Sequence, residues 1–215
     1  FKDEHGTESL KFIAPEAVRA AFSEVPVDSG WLGSGILRWG HGRHGEFALM
    51  LAPAGLHRLT LTGELLLDEQ ASEAQPALPV TADVPLPPLV FAGCGRSYWV
   101  WALKDEAAAD TSPVFHAPLP NVDFSGGICY GANLPPAASP ATIQAAWQLF
   151  IRTPFNADRA GGKARSYRQD VRELLRELAE HQAKRFPRRE LEPCTTSRAT
   201  TLGQVVAGSL LSGGY

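Results

Sequence analysis

Short apolar and alternating runs, broken by glycine and proline, fill the chain between residues 30 and 104. They read GWLGSGILRWG, EFALML, LHRLTLTGELLLD, PPLVFAG and SYWVWALK. Runs of this length predict strands, and their close spacing favours an antiparallel meander over a sheet built from βαβ units. The segment 70–88, which is rich in Ala, Pro and acidic residues, is predicted to be a long loop or an edge.

The last third of the chain changes to a helical period. One apolar stripe at positions i, i+3, i+4, i+7 and i+8 consists of Ile143, Ala146, Trp147, Phe150 and Ile151. Ser139 followed by Pro140 predicts the start of this helix, and Pro154 predicts its end.

Two further helices are predicted. Ser166 and Gln169 form a capping-box pattern, and Pro187 marks the stop. The buried face between them would consist of Val171, Leu174, Leu175 and Leu178. Near the beginning of the chain, residues 11–24 fit a short helix with Pro15 in its first turn. The order of helix, strands and then helices predicts an α+β domain.

Composition narrows the class of protein. The chain has 215 residues, of which 44% are hydrophobic and 20% charged, enough for one substantial core. A net charge of −3 argues against wholesale nucleic-acid binding, and no apolar run approaches the roughly 20 residues that span a bilayer. The segment 163–189 has nine basic and four acidic residues, which fits either a solvated helix face or a docking surface for an acidic partner.

The three cysteines, Cys94, Cys129 and Cys194, have no repeating spacing. They argue against a disulfide framework and for a reducing compartment, and together with the absence of a signal-like start they predict a cytoplasmic protein. The six histidines form no recognisable zinc pattern around them, so neither a metal nor a cofactor is expected.

Cys129 lies in the stretch LPNVDFSGGICYG, residues 119–131. Gly126 and Gly127 remove side chains just before the thiol, which lets a bulky group approach it. Asn121, eight positions upstream, offers a neutral amide donor. Such a donor, when it is aimed at a developing oxyanion, contributes about 2.7–4 kcal/mol.

No general base stands close to Cys129 in the sequence, since the nearest histidine, His116, is thirteen positions upstream. A thiol without a base is poorly suited to amide cleavage. It suits the exchange of an activated thioester, in which the acyl group moves from one sulfur to another and then to an amine.

The stretches 119–122 (LPNV) and 126–129 (GGIC) resemble the active-site sequence of ubiquitin-conjugating enzymes, which reads His-Pro-Asn, a hydrophobe, a short polar turn and Gly-x-Ile/Val-Cys with the same spacing. The Ser-Pro-Ala at 139–141 resembles the helix start that follows the cysteine in that family. Within it, the runs PPLVFAG, YWVWAL and APLPNV resemble the bacterial branch called prokaryotic family D, protein B of the PRTRC (ParB-related, ThiF-related) cassette. The resemblance covers about 87–155.

This resemblance implies a four-stranded or slightly larger antiparallel meander flanked by helices, with the cysteine on a long loop after the last strand. It implies that Cys129 accepts a ubiquitin-like protein as a thioester and that Asn121 steadies the loop or the oxyanion. Pro120 would shape the turn. The implied partners are a ubiquitin-like protein with a C-terminal glycine, a ThiF-like adenylating activating enzyme and a JAB-type metalloprotease.

The sequence departs from the family at two places. Leu119 replaces the histidine before Pro-Asn, and the stretch 155–158 (FNAD) has no histidine. Asp158 is instead a candidate for orienting the acceptor amine. On this interpretation, residues 1–85 form the N-terminal helix and first strands, 86–190 the catalytic core with the cysteine loop and C-terminal helices, and 191–215 a loosely ordered tail.

Two other functions fit the same sequence. The first is a module that binds a ubiquitin-like protein without catalysis. The second is a Cys/His thiol hydrolase, which requires His116 or His181 within hydrogen-bond reach of the Cys129 sulfur.

Overall fold

The structure is a computed structural model, and it describes residues 14, 17, 27–31, 35–42, 45–63, 79–194 and 200–211. The helix predicted over residues 11–24 therefore lies almost entirely outside the described residues. Among those that are described, no helix combines the length and the apolar character that crossing a membrane requires.

Eight strands are described. They are β1 (Val27–Asp28), β2 (Ile36–Gly42), β3 (Gly45–Ala52), β4 (Gly55–Leu61), β5 (Val80–Leu86), β6 (Leu89–Cys94), β7 (Ser97–Ala102) and β8 (Phe115–His116). Six of them form one antiparallel sheet in the order β1-β2-β3-β6-β7-β8, and β4 pairs with β5 in a separate two-stranded sheet.

The helices of the described residues follow the strands. They are α1 (Ile143–Arg152), α2 (Val171–Glu180), a 3-10 turn (Arg188–Glu190) and α3 (Leu202–Val206), which continues as a π-helical turn over Ala207–Leu211. This order confirms the predicted α+β class and the antiparallel meander. The main sheet is larger than four strands, and residues 80–86, predicted as loop or edge, form β5.

Both faces of the main sheet are covered, which explains why its central strands are nearly continuous in hydrophobic residues. One face contributes Ala48, Met50, Phe91 and Val100 to a core shared with β4, β5, α1 and α2. The opposite face contributes Phe47, Leu49, Val90 and Ala92 to a second core. Successive residues of a strand point to opposite faces, so one strand serves both cores.

Helix α1 buries the predicted apolar stripe, which confirms its periodicity, but it begins at Ile143 rather than directly after Ser139. Helix α2 likewise begins later than the capping-box pattern predicts. Its N-cap is Asp170, whose side chain accepts a hydrogen bond from the Arg172 amide. Ser166 instead donates to the buried Glu190 carboxylate. Helix α2 also ends well before Pro187, at Glu180.

The described part of the C-terminal segment differs from the loosely ordered tail expected over 191–215. Residues 202–211 are helical and cover the second face of the main sheet. Their buried side chains are Leu202, Val205, Val206 and Leu210. The small apolar residues of this segment have a packing partner, the sheet face, that the local sequence pattern does not reveal.

Candidate functional site

Residues 121–129 form a tight antiparallel hairpin, called here the cysteine hairpin. Val122 and Ile128 form an isolated β-bridge, and the Cys129 amide donates to the Asn121 carbonyl at 2.8 Å. The eight-residue spacing therefore places Asn121 and Cys129 directly opposite each other across the hairpin. As the resemblance implies, the cysteine lies after the last strand of the sheet and ahead of α1.

The second arm of the cysteine hairpin is fastened to β7. The Ile128 amide donates to the Tyr98 carbonyl at 2.9 Å, and the Val100 amide donates to the Gly126 carbonyl at 2.9 Å. These bonds continue the edge of β7 beyond its pairing with β8. The position of Cys129 is thus set by the main sheet.

Asp123 organises the tip of the cysteine hairpin. One carboxylate oxygen accepts hydrogen bonds from the amides of Ser125 and Gly127, each at 2.8 Å, and from the Ser125 hydroxyl at 2.6 Å. The other carboxylate oxygen lies 3.5 Å from the Arg159 guanidinium. An Asp side chain that bonds amides a few residues ahead forms an Asx-type turn.

Gly126 and Gly127 are required by this turn. Gly126 has φ of +90°, and a Cβ there would lie 2.5 Å from the Trp101 indole nitrogen. A Cβ on Gly127 would lie 2.6 Å from an Asp123 carboxylate oxygen. The glycine pair therefore lets the hairpin close against Trp101, in addition to the predicted role of leaving room for a bulky substrate.

Cys129 is half-buried, whereas Cys94 and Cys194 are buried. Within the described part of the chain, no group hydrogen-bonds to the Cys129 sulfur. Burial raises the pKa of the Cys94 thiol, and it raises the pKa of the Cys194 thiol to about 12. Of the three thiols, Cys129 is therefore the most accessible, and access is one of the properties on which the reactivity of a thiol depends.

Asn121 is 7% exposed and has a left-handed φ of 59°, a conformation that asparagine tolerates better than most residues. Its amide nitrogen Nδ2 donates to the Pro154 carbonyl at 3.3 Å, and its backbone amide donates to the Asp158 carbonyl at 2.8 Å. The carboxamide oxygen is buried with no partner among the described residues. Reversing the carboxamide would place oxygen against the Pro154 carbonyl, so this orientation is the favourable one.

Three further residues named by the sequence analysis lie around the base of the cysteine hairpin. Leu119, at the position of the family histidine, is fully buried in the first core, and Pro120 is buried next to it. Asp158 is exposed, and its carboxylate lies 3.7 Å from the Arg159 side chain. Because the Asp158 carbonyl holds Asn121, the turn that carries the Asp158 carboxylate lies against the base of the hairpin.

Neither His116 nor His181 pairs with Cys129. The ring nitrogen Nδ1 of His116 lies 3.6 Å from the sulfur of Cys194, and His181 contacts the Glu177 carbonyl at the end of α2. Burial, followed by the nearby positive charge of Lys163, lowers the pKa of His116 to about 4. Among the described residues, the Cys129 sulfur therefore lacks the imidazole partner that the hydrolase alternative requires.

Two residues of the site carry no signal in the sequence. Lys163 is 1% exposed and donates from Nζ to the Asp123 carbonyl at 3.0 Å. Arg159, with φ of 54°, approaches the Asp123 carboxylate. Both lie in a segment of Gly, Ala and basic residues, and a cation in such a segment is normally predicted to be exposed to solvent.

A cavity of about 470 Å³ lies between the loop that follows Cys129 and the C-terminal half of α1. It is lined by Asn133, Ala145, Gln148, Leu149, Arg152, Thr153 and Pro154. Pro154, at its edge, is the residue that receives the Asn121 hydrogen bond. The described residues include no cluster of His, Cys, Asp and Glu that could hold a metal ion.

An antiparallel meander followed by amphipathic helices is consistent with a ubiquitin-conjugating-like fold. Residues 10–194 match the sequence model of a protein family, prokaryotic E2 family D. E2 denotes a ubiquitin-conjugating enzyme. The chain belongs to this family. Searches among curated proteins and among solved structures found no match.

Proposed function

We propose that this protein carries a ubiquitin-like protein as a thioester on Cys129 and transfers it to an amine. The observation that carries the proposal is a half-buried thiol at the end of the cysteine hairpin, opposite Asn121, in a member of an E2 family. The ubiquitin-like protein would arrive on the sulfur of a ThiF-like adenylating activating enzyme. A JAB-type metalloprotease and a cytoplasmic location belong to the same proposal.

The proposed reaction has two steps, exchange of the thioester onto Cys129 and transfer of the acyl group to an amine. The Cys129 thiolate attacks the thioester carbonyl, a new C–S bond forms, and the thiolate of the activating enzyme leaves. An amine then attacks the same carbonyl carbon, the C–S bond to Cys129 breaks, and the amine releases its proton. The first step exchanges one sulfur for another, so it is close to neutral in free energy and needs no histidine base.

Asp158 is the proposed orienting group for the acceptor amine. Its carboxylate is exposed, while its backbone carbonyl is bonded to Asn121 at the base of the cysteine hairpin. A carboxylate in this position favours an ammonium near Cys129 and accepts the proton that the amine loses. Arg159 lies 3.7 Å from the same carboxylate and orients it.

Asn121 is proposed to order the hairpin. Its Nδ2 donates one of its two hydrogens to the Pro154 carbonyl, and this bond ties the base of the hairpin to the segment that follows α1. Asn121→Gly tests this, because glycine accepts the left-handed φ and removes the carboxamide alone. We expect acyl discharge to an amine to slow about tenfold, the factor that corresponds to one hydrogen bond. We also expect faster hydrogen exchange at the Cys129 amide.

A different pair of results would contradict this role for Asn121. If hydrogen exchange at the Cys129 amide is unchanged while discharge slows about 100- to 1,000-fold, the carboxamide acts on the oxyanion and does not order the hairpin. Asn121→Ala serves as the matched comparison, because it also loses the carboxamide but adds the strain of a left-handed backbone at a residue other than glycine.

Loading of Cys129 is the direct test of the proposed function. The protein is incubated with its activating enzyme, the ubiquitin-like protein and ATP, and the products are separated with and without a reducing thiol. We expect an adduct that thiol removes, that Cys129→Ala abolishes, and that Cys129→Ser converts into a thiol-resistant oxyester. Cys94→Ala, which removes a buried thiol from β6, should load normally.

Two outcomes would contradict the assignment. An adduct that persists in Cys129→Ala would mean that another residue carries the acyl group. Binding of the ubiquitin-like protein without any adduct in the unsubstituted protein would favour the non-catalytic binding module.

A further inference from the structure

A buried lysine lies beneath the cysteine hairpin. Lys163 is 1% exposed, its ammonium donates to the Asp123 carbonyl at 3.0 Å, and it lies 4.5 Å from the centre of the Phe124 ring. A charge taken out of water costs free energy unless partners compensate for it. Here a carbonyl and an aromatic face, both at the tip of the cysteine hairpin, supply the compensation.

The segment that carries Lys163 fits closely over the hairpin tip. Gly162 has φ of +69°, and a Cβ there would lie 2.9 Å from the Phe124 ring. Arg159, four residues before Lys163, lies 3.5 Å from the Asp123 carboxylate. Two cations from one segment therefore hold opposite ends of a single residue, Lys163 at its carbonyl and Arg159 at its carboxylate.

The remaining groups that face the ammonium do not neutralise it. His116 stands against the same Phe124 ring, with ring centres 5.3 Å apart, and burial keeps it neutral with a pKa of about 4. The Cys194 thiol, 3.6 Å from His116, is also protonated at neutral pH because burial raises its pKa to about 12. Asp123 is thus the acidic group that acts on Lys163, while Arg159 opposes it.

We propose that Lys163 is a positioning residue for the transfer reaction: its buried ammonium clasps the Asp123 carbonyl and holds the cysteine hairpin in the geometry that presents Cys129. The clasp acts through the hairpin, since the Asp123 turn is bonded across the hairpin to the arm that carries Cys129. This inference rests on the proposed function for its catalytic consequence, although the clasp itself can be measured without any partner protein.

Burial lowers the pKa of Lys163 from 10.5 to about 8, with Asp123 opposing the shift. The folded protein therefore disfavours the charged form of Lys163, relative to the unfolded chain. Between pH 8 and 10.5 the unfolded chain holds more protons at this lysine than the folded chain does, so its contribution to stability rises with pH in that window. A lysine kept for stability alone would show the opposite sign.

Lys163→Met is the test variant, because methionine fills the apolar volume without a charge. The Asp123 carbonyl keeps a second donor, the Gly126 amide at 3.1 Å, and the Asp123 carboxylate keeps Arg159, so no charge is left unpaired. Replacing a buried ion by a hydrophobic residue is often neutral or stabilising. We expect an unchanged or higher melting temperature at pH 7, with Lys184→Met, at a lysine on the surface beyond α2, as the control.

The same variant should loosen the hairpin and slow the reaction. Hydrogen exchange at the amides of Asp123 and Cys129 should be about tenfold faster, the factor expected for one lost charge-assisted hydrogen bond. Loading of Cys129 by the activating enzyme should be about 10- to 100-fold slower, because small misplacements of a reacting group have effects of this size. In the unsubstituted protein, exchange at these amides, corrected for its intrinsic pH dependence, should also accelerate above pH 8, and in Lys163→Met it should not.

The titrations of Cys94 and Tyr98 are common to the two proteins and cancel in the stability difference. Cys194 and His116 interact with the Lys163 charge, so the difference reports Lys163 together with its coupling to these two groups. Any advantage of Lys163→Met should be present below pH 8 and shrink toward pH 10.5. A lower melting temperature for Lys163→Met, or exchange and loading equal to those of the unsubstituted protein, would overturn the proposal. If Cys129 of the unsubstituted protein forms no thioester, the proposed function is wrong. The hydrogen-exchange and stability results still test whether Lys163 holds the cysteine hairpin.

Discussion

Replacing Arg172 with methionine is expected to lower the free energy of unfolding by about 3–5 kcal/mol, the range found when one partner of a buried ion pair is removed. Arg172 is fully buried, and its guanidinium forms a bidentate ion pair with the carboxylate of Asp170, a residue that is 5% exposed. The substitution leaves that carboxylate buried without its cation. It also weakens the start of α2, where Asp170 is the N-cap.

The Arg172 loss should reach the cysteine hairpin through a chain of backbone bonds. Its guanidinium donates to the Thr62 carbonyl at 2.6 Å, and the Thr62 amide donates to the Phe155 carbonyl at 2.8 Å. The preceding residue, Pro154, receives the Asn121 carboxamide. Arg172 thus supports indirectly the segment 154–155, to which the base of the hairpin is bonded.

Chemical denaturation measures the Arg172 effect, with Arg168→Met as the control. Arg168 is exposed in the turn before α2, and its substitution should change stability by less than about 0.5 kcal/mol. The double variant Arg172→Met with Asp170→Asn should recover part of the loss, since it removes the stranded charge. Equal stability of Arg172→Met and Arg168→Met would contradict the assignment of a buried, energetically important ion pair.

Gly126→Ala is the second large effect, and it separates the geometry of the cysteine hairpin from its chemistry. A Cβ at this position would lie 2.5 Å from the Trp101 indole nitrogen and 3.1 Å from the Val100 carbonyl, at a φ of +90°. Backbone strain and overpacking each cost about 1–3 kcal/mol. With a total of about 3 kcal/mol, the melting temperature should fall by about 6–12 °C for a domain of this size.

The functional consequence of Gly126→Ala should be larger than the stability loss alone implies. The Gly126 carbonyl is bonded to β7, so relief of the clash moves the arm that carries Cys129. Loading should slow by about 100-fold at a temperature where the variant is still folded. Gly131→Ala is the matched control, because Gly131 is also left-handed, at +59°, but an added methyl group there would have nothing within 4 Å. It should lose only about 1 kcal/mol and load normally.

The sequence predicted those features of the fold that depend on residues close together in the chain. The stripe of α1 is buried as its period predicts, because 3.6-residue spacing aligns side chains on one face whatever the partner. The eight-residue spacing of Asn121 and Cys129 is compatible with a hairpin, but the resemblance implied a long loop, and the tight hairpin is a finding of the structure. Cys129 itself was identified by its resemblance to a known active-site stretch.

Features that depend on distant parts of the chain were not predictable. The covering of the second sheet face by 202–211 depends on strands more than a hundred residues away. The contact between His116 and Cys194 joins residues 78 positions apart. Lys163 and Arg172 look like surface cations in the sequence, because only the tertiary structure reveals that Asp123 and Asp170 are placed to receive them.

The central claim is that Cys129 carries the acyl group, and mass spectrometry of the loaded protein tests it most directly. After incubation with the activating enzyme, the ubiquitin-like protein and ATP, the intact mass should increase by that of the ubiquitin-like protein less one water. Digestion under acidic conditions, which preserve the thioester, should place the modification on the peptide that contains Cys129, with Cys94 and Cys194 unmodified. A modification mapped to either of those buried cysteines, with Cys129 unmodified, would contradict the account.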